Sequence, residues 1–202
     1  NEIDPSFLQT PGWAQVKAGW GSKVIGFYEG GELIGTALVL ARKIPKLNRY
    51  FLYIPEGPAL AAKYLEQAIP LLRKYAISQN GFALRIGPMV IKNRWDSETI
   101  KEALADESKK SLQQVTPSWI NPDANAIENI LRVNGFKPSV DDVNGFAAGQ
   151  PKYVYQLALT GKTEADVLEG FNQLWRRNIK KGEKENVQVI RGSREDSAKF
   201  HE

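Results

Sequence analysis

Cysteine is absent from this 202-residue chain, and histidine occurs once, at His201. The first absence removes disulfides, zinc–thiolate centres and cysteine nucleophiles together. The second excludes general base catalysis by a mid-chain histidine and argues against a Ser-His-Asp triad. Long apolar runs are also missing, so nothing in the sequence reads as a bilayer-spanning helix. The first residues, Asn1-Glu2-Ile3-Asp4-Pro5, have neither the basic start nor the apolar centre of a signal peptide. They begin without Met, which leaves room for residues upstream. A cytoplasmic protein is the plain expectation.

What is present is ordinary for a soluble globular chain: 42% hydrophobic and 25% charged residues, enough for one large domain or two modest ones. The net charge of +4 and the pI near 9.2 suit a polyanionic partner such as tRNA or a nucleotide diphosphate, and equally suit many unrelated proteins.

Thr10 can cap a short helix with Pro11 in its first turn, ending near Gly19 or Gly21. Strands are expected over Val24–Tyr28 and Leu33–Leu40, joined by a tight turn at Gly30-Gly31, with a third over Arg49–Ile54. Ala61–Gln79 has helical spacing, with Pro70 marking a kink or a delayed start and Gly81 placed to end it. Phe82–Ile86 reads as a short buried strand and Ser97–Ala105 as a helix. A further helix is expected over Pro122–Asn134, with Asn121 as cap, an apolar stripe of Ala126, Ile127, Ile130 and Leu131, and Gly135 closing it. Lys152–Leu159 and Val187–Arg191 read as strands. Thr163-Glu164-Ala165-Asp166 has the spacing of an acidic capping box opening a long helix to about Glu185, and Ser193–Asp196 starts another. Strands alternating with helices after a β-meander predict an α/β (α+β) fold with a mixed sheet and flanking helices.

Several segments resemble the FemABX family of peptidoglycan aminoacyltransferases: Phe7–Lys17 (FLQTPGWAQVK), Tyr53–Pro58 (YIPEGP), Leu84–Pro88 (LRIGP), Phe146–Val154 (FAAGQPKYV) and Asn172–Lys181 (NQLWRRNIKK). Each is weak alone; their order and spacing over nearly the whole chain make the combination specific. The resemblance implies two GNAT-like subdomains in tandem, the first over residues 1–150 and the opening of a second, incomplete, over 151–202. It implies transfer of an amino acid from an aminoacyl-tRNA donor to the stem peptide of a peptidoglycan precursor, either UDP-MurNAc-pentapeptide or a lipid-linked form. A lipid-linked acceptor would bring the protein to the inner face of the membrane. The donor ester is already activated, so neither a cofactor nor a metal is implied, and the protein's task is alignment, proton transfer and oxyanion stabilisation.

On the residues alone Lys17 is a solvated lysine of an amphipathic helix; the resemblance makes it a ligand of the precursor's diphosphate. Trp20 packs the helix on the sheet or lines the pocket. Phe82 and Gly87 stand where a studied branch of the family has a tyrosine and an aspartate lining that pocket. With no hydroxyl or carboxylate at those two places, the proton must leave by another route, through the substrate or another carboxylate. Arg85 reaches the cleft or makes a structural ion pair. Gly57-Pro58, between a strand and a helix, presents backbone N–H groups to a ligand or simply turns the chain. Arg176 and Lys180 are four apart, as are Arg177 and Lys181, forming adjacent basic rows on one helix. These rows bind tRNA or precursor phosphates, or are a solvated face near a helix C-terminus. The Gln/Arg-x-x-Gly-x-Gly/Ala loop of acyl-CoA N-acyltransferases is missing, which disfavours acyl-CoA as donor. A truncated, non-catalytic module that grips precursor or RNA is the remaining alternative.

Overall fold

Gly30 and Gly31, at φ +57° and +90°, turn the chain as a two-residue hairpin requires. They join β1 (Gly21–Glu29) to β2 (Glu32–Lys43) as an antiparallel pair. β2 then carries two successive neighbours on its other edge, β3 (Tyr50–Ile54) and β4 (Ala59–Leu60), both antiparallel to it. β5 (Gly81–Ile86) pairs parallel with β3, so the sheet is mixed, in the order β1-β2-β3-β5. The computed structural model describes residues 6–139, 146–147, 150–193 and 196.

One face of this sheet is covered by a helix. α2 (Leu65–Ser78), preceded by a 3-10 turn at Ala62–Tyr64, buries Leu65, Ala68, Ile69, Leu72 and Ala76. They meet Ala37 and Val39 of β2, Leu52 and Ile54 of β3, and Ile127. Because side chains alternate along a strand, Leu38, Leu40, Phe51 and Tyr53 belong to the opposite face. Leu38 and Leu40 are nonetheless buried, beneath the 3-10 turn Phe7–Gln9 and α1 (Pro11–Val16), which pack on β2. Thr10 caps α1 by accepting from the Trp13 N–H, as the sequence predicted.

A gap in the strand ladder explains how that second layer is attached. β3 pairs with β2 as far as Leu40↔Tyr53, and β4 resumes at Thr36↔Ala59. Between them residues 55–58 turn away from β2. The Gln9 carboxamide fills the opening: its Oε1 accepts from the Leu38 N–H at 2.9 Å and its Nε2 donates to the Pro55 carbonyl. Gln9 is only 8% exposed. Gly57 is glycine because this amide needs the room: a Cβ there would lie 2.5 Å from the Gln9 amide carbon.

The remaining elements of this unit are β6 (Asn93–Arg94), α3 (Ser97–Ala105), β7 (Trp119–Ile120) and α4 (Ala124–Val133). α3 spans the predicted range, capped by Asp96 Oδ1, which accepts from the Thr99 N–H at 2.9 Å. α4 starts two residues later than predicted. Asn121 instead makes a turn, its Oδ1 accepting from the Asp123 N–H at 3.0 Å and its amide donating to the Ile91 carbonyl. The buried stripe is Ala124 and Ile127, with Ile130 and Leu131 half-buried, while Ala126 is exposed. Pro70 neither delays nor ends α2; with Ile69 fully buried beside it, tertiary packing outweighs the lost backbone bond. Asn80, at φ +55°, rather than Gly81 stops that helix. Gly81 is needed for close approach, since a Cβ there would lie 2.7 Å from the Ala76 carbonyl oxygen.

The chain divides into two compact units, Asn1–Pro138 and Ser139–Glu202. The second contains the short antiparallel pair β8 (Phe146–Ala147) and β9 (Gln150–Pro151), then α5 (Glu164–Gly170) and α6 (Gln173–Lys184). The predicted long helix from Thr163 is thus two. Phe171 is extended, at φ −74° and ψ 147°, and Asn172 starts the second helix as a new cap by accepting from the Trp175 N–H. The capping box at Thr163 and Asp166 is present. The strands predicted over Lys152–Leu159 and Val187–Arg191 are not formed. Among the described residues neither stretch has a pairing strand, and Tyr155 and Val189 are almost wholly exposed. The predicted helix at Ser193–Asp196, part of the Phe146–Val154 motif, and His201 lie partly or wholly outside the described residues.

Gln9→Ala is expected to lower stability by about 2–5 kcal/mol, because two buried backbone groups lose their partner. Gly57→Ala should cost about 1–3 kcal/mol by overpacking, and much less in the Gln9→Ala background. Urea unfolding of the four proteins of this cycle measures that coupling. Asp96 has its carboxyl held below the usual carboxylate range, first by the Thr99 N–H and then by the Thr99 and Ser118 hydroxyls. A depressed folded pKa stabilises above the unfolded value of about 3.9, and that contribution is lost as pH falls through the folded value. The melting-temperature difference between wild type and Asp96→Asn should therefore be present at pH 7 and shrink steadily below about pH 4.

Candidate functional site

The open part of the second sheet face is built by register. Arg42 of β2 lies opposite Phe51 of β3, and Phe51 lies opposite Ala83 of β5. A bulge between Tyr50 and Phe51 leaves Phe82 as the extra residue of β5, and a bulge re-aims the side chain it carries. Phe82 is consequently 56% exposed, with its ring 6.2 Å from that of Phe51. It is an exposed bulge residue, where the sequence led us to expect a buried strand.

Trp20 arrives from the connection between α1 and β1. Its backbone N–H donates to the Lys17 carbonyl at 2.8 Å, and its ring stands edge-on to Phe51 with centroids 6.1 Å apart. Two guanidinium groups complete the cluster: Arg42 lies 5.7 Å from the Trp20 ring centre and Arg85 lies 5.5 Å from that of Phe51. Lys17, at the C-terminus of α1, holds its ammonium 5.0 Å from the Trp13 ring centre. Cations over exposed rings gain only about 0.5–1 kcal/mol each, so these contacts orient the charges without neutralising them. No carboxylate among the described residues pairs with Lys17, Arg42 or Arg85. The result is a half-exposed aromatic surface carrying two unneutralised guanidinium groups, chemistry suited to a ligand that combines a ring with phosphate charge, whereas the Lys17 ammonium lies on Trp13, outside this cluster.

Trp20, Phe82 and Arg85 therefore come together, and the residue that joins them, Phe51, was not singled out by the sequence. Nor was Arg42. Alternation within Tyr50–Ile54 could have placed Phe51 on the non-core face; its partners required the register. Gly57 and Pro58 are buried and shape the turn beneath this face. The Gly57 carbonyl accepts from the Gly87 N–H at 3.1 Å, joining the carboxyl ends of β3 and β5. Gly87 is half-buried with free space beside it, since a Cβ would meet nothing closer than the Glu56 N at 3.6 Å.

Arg176, Arg177, Lys180 and Lys181 all project from α6 in the second unit and are exposed. Lys181 lies 3.7 Å from Glu185 in an i,i+4 pair. Val167 and Leu168 of α5, Phe171 between the two helices and Ile179 of α6 are half-buried, and Leu174 and Trp175 are exposed. Among the described residues, no three His, Cys, Asp or Glu side chains gather as a metal site requires, and no helix is long and apolar enough to cross a membrane.

The family model described as "FemAB family" matches residues 1–202. The chain is 27% identical over 207 residues to the Lipid II:glycine glycyltransferase of Staphylococcus haemolyticus, covering 96% of this chain and 41% of that protein. It is 27% identical over 204 residues to the protein of the same name from Staphylococcus saprophyticus, with the same two coverages. Its fold is similar to that in the crystal structure of FemX, with a TM-score of 0.61 and 21% identity, covering 96% of this chain and 42% of that one. The chain thus spans about two-fifths of the length of the curated relatives it matches.

Proposed function

The chain belongs to the FemAB family, and from that premise we propose that it is part of a transferase that adds an amino acid to the stem peptide of a peptidoglycan precursor, in bridge formation. The observation that carries this reading is the face built by Trp20, Phe51 and Phe82, with Arg42 and Arg85 on it left without counter-charges; Lys17, on the Trp13 ring, is a further unpaired cation of the same unit. A precursor linked to a nucleotide or a lipid carries a diphosphate, and arginine and lysine match its charge. Relatives named for lipid II and glycine support a lipid-linked acceptor and glycine as the transferred group. Such an acceptor would place the protein at the inner face of the membrane.

The donor we propose is aminoacyl-tRNA. Its ester is activated, and the described part of the chain provides neither cysteine nor histidine for a covalent route. The basic rows of α6, Arg176 with Lys180 and Arg177 with Lys181, are the proposed contact for tRNA phosphates. Residues 1–150 are read as a first GNAT-like subdomain and 151–202 as the start of a second.

Calorimetric titration of UDP-MurNAc-pentapeptide into the full-length protein tests the acceptor site. Lys17→Ala and Arg85→Ala should each weaken binding about 10-fold or more, the loss of one charge-assisted hydrogen bond. The donor is tested by offering the same protein aminoacyl-tRNA and acyl-CoA separately. Acylation of the precursor from acyl-CoA alone would overturn the reading.

A further inference from the structure

We propose that the Glu56 carboxylate accepts the proton that the attacking amine must lose, a role that rests on the aminoacyl-transfer reading above. Position is the first reason. β3 and β5 run parallel, and ligands of open α/β sheets bind beyond the carboxyl ends of such strands. Across those ends, residues 55–59 and 87–90, Glu56 is the sole acidic side chain. The bond from the Gly87 N–H to the Gly57 carbonyl holds the two ends together.

Backbone geometry is the second reason. Glu56 takes φ +47°, a region that glycine or asparagine enters freely and that other side chains occupy at a cost of about 1–3 kcal/mol. A glutamate held there marks a site where the carboxylate matters more than the turn. The third reason is its surroundings. Ser6 Oγ donates to Oε2, which fixes one oxygen and leaves the other to act. No cation among the described residues pairs with the group. Gly87 contributes no side chain beside it, so the approach stays open. Finally, with no cysteine and the one histidine at position 201, carboxylates are the only side chains of residues 6–139 that are ordinarily unprotonated bases at neutral pH.

In the reaction the amine nitrogen bonds to the ester carbonyl carbon, and its proton passes to Glu56. The tetrahedral intermediate then collapses with cleavage of the carbon–oxygen bond to the ribose. Glu56 returns the proton to the departing oxygen, leaving an amide and a free tRNA hydroxyl.

The test is steady-state transfer by the full-length protein, with a tRNA pool charged with mixed amino acids and with lipid II and UDP-MurNAc-pentapeptide each offered as acceptor. Glu56→Gln still accepts the Ser6 hydrogen bond, so its melting temperature should stay close to that of wild type. Its kcat should fall about 100-fold or more, in the range of lost general base catalysis, with KM for the acceptor changed less than about twofold. Glu56→Asp should recover part of the rate. A Glu56→Gln enzyme with kcat within about twofold of wild type overturns the proposal. So does an equal loss in both variants that tracks a lowered melting temperature, since Glu56 would then only tether the N-terminal segment. A wild-type protein that transfers from no aminoacyl-tRNA overturns the reading beneath it, and the proposal with it.

Discussion

One buried carboxamide determines how the first unit is put together. A strand that turns away from its neighbour strands a backbone N–H and a carbonyl in the interior, and unpaired groups there cost several kcal/mol together. Gln9 satisfies both with the two ends of a single amide. In doing so it fastens the N-terminal segment to the sheet face opposite α2. Everything that follows in the chain inherits this placement: α1 starts one residue later at its Thr10 cap, and the connection that follows it delivers Trp20 to Phe51. The same amide sets the shape of residues 55–58, because Gly57 must go without a side chain to admit it. The cationic aromatic face and the turn that carries Glu56 thus rest on one residue distant from both in sequence.

Much of the fold was legible because its signals are local. Gly30-Gly31 names a hairpin, Thr10-Pro11 a helix start and Thr163 with Asp166 a capping box, and each acts within a few residues of itself. Failures came where a local pattern needs a distant partner. Lys152–Leu159 and Val187–Arg191 alternate as strands do, yet alternation only prepares a surface for pairing, and among the described residues no strand is there to pair with them. The division between α5 and α6 was missed for the reverse reason. Phe171 and Asn172 sit within a continuous helical pattern, and the competing cap formed by the Asn172 side chain with the Trp175 N–H outweighs it.

The site was legible by residue type more than by arrangement. Trp20, Phe82 and Arg85 were all named from the sequence, and they do share a face. Their common contact is Phe51, whose role depends on the pairing of β3 with both β2 and β5. The bulge that turns Phe82 outward is likewise invisible in a run that reads simply as an apolar strand. Gly57 and Pro58 read as a ligand loop, whereas in the structure both are buried, Gly57 against the Gln9 amide. A resemblance motif can therefore mark residues that build the floor of a site as readily as those that line it.

The lack of histidine and cysteine bears on which reactions this architecture suits. Hydrolysis of an unactivated amide needs a strong nucleophile generated in place. Aminolysis of an ester starts from an activated carbonyl and a nucleophile that needs only to be neutral and correctly placed, so alignment and a weak base suffice. Alignment is what a sheet supplies best. Phe51, Phe82, Arg42 and Arg85 are carried by β2, β3 and β5, with a fully packed core of Leu52, Ile54 and Ile69 beneath them, so these rings and charges are held by rigid elements, and only Trp20 is added from a connection. Residues 151–193 of the second unit include no buried apolar side chain, and its basic helix is an exposed surface. Rigidity on one unit and exposed charge on the other match the unequal demands of the proposed substrates: a small acceptor must be held to within a fraction of an ångström, whereas a tRNA backbone is gripped through many salt-screened contacts that tolerate movement.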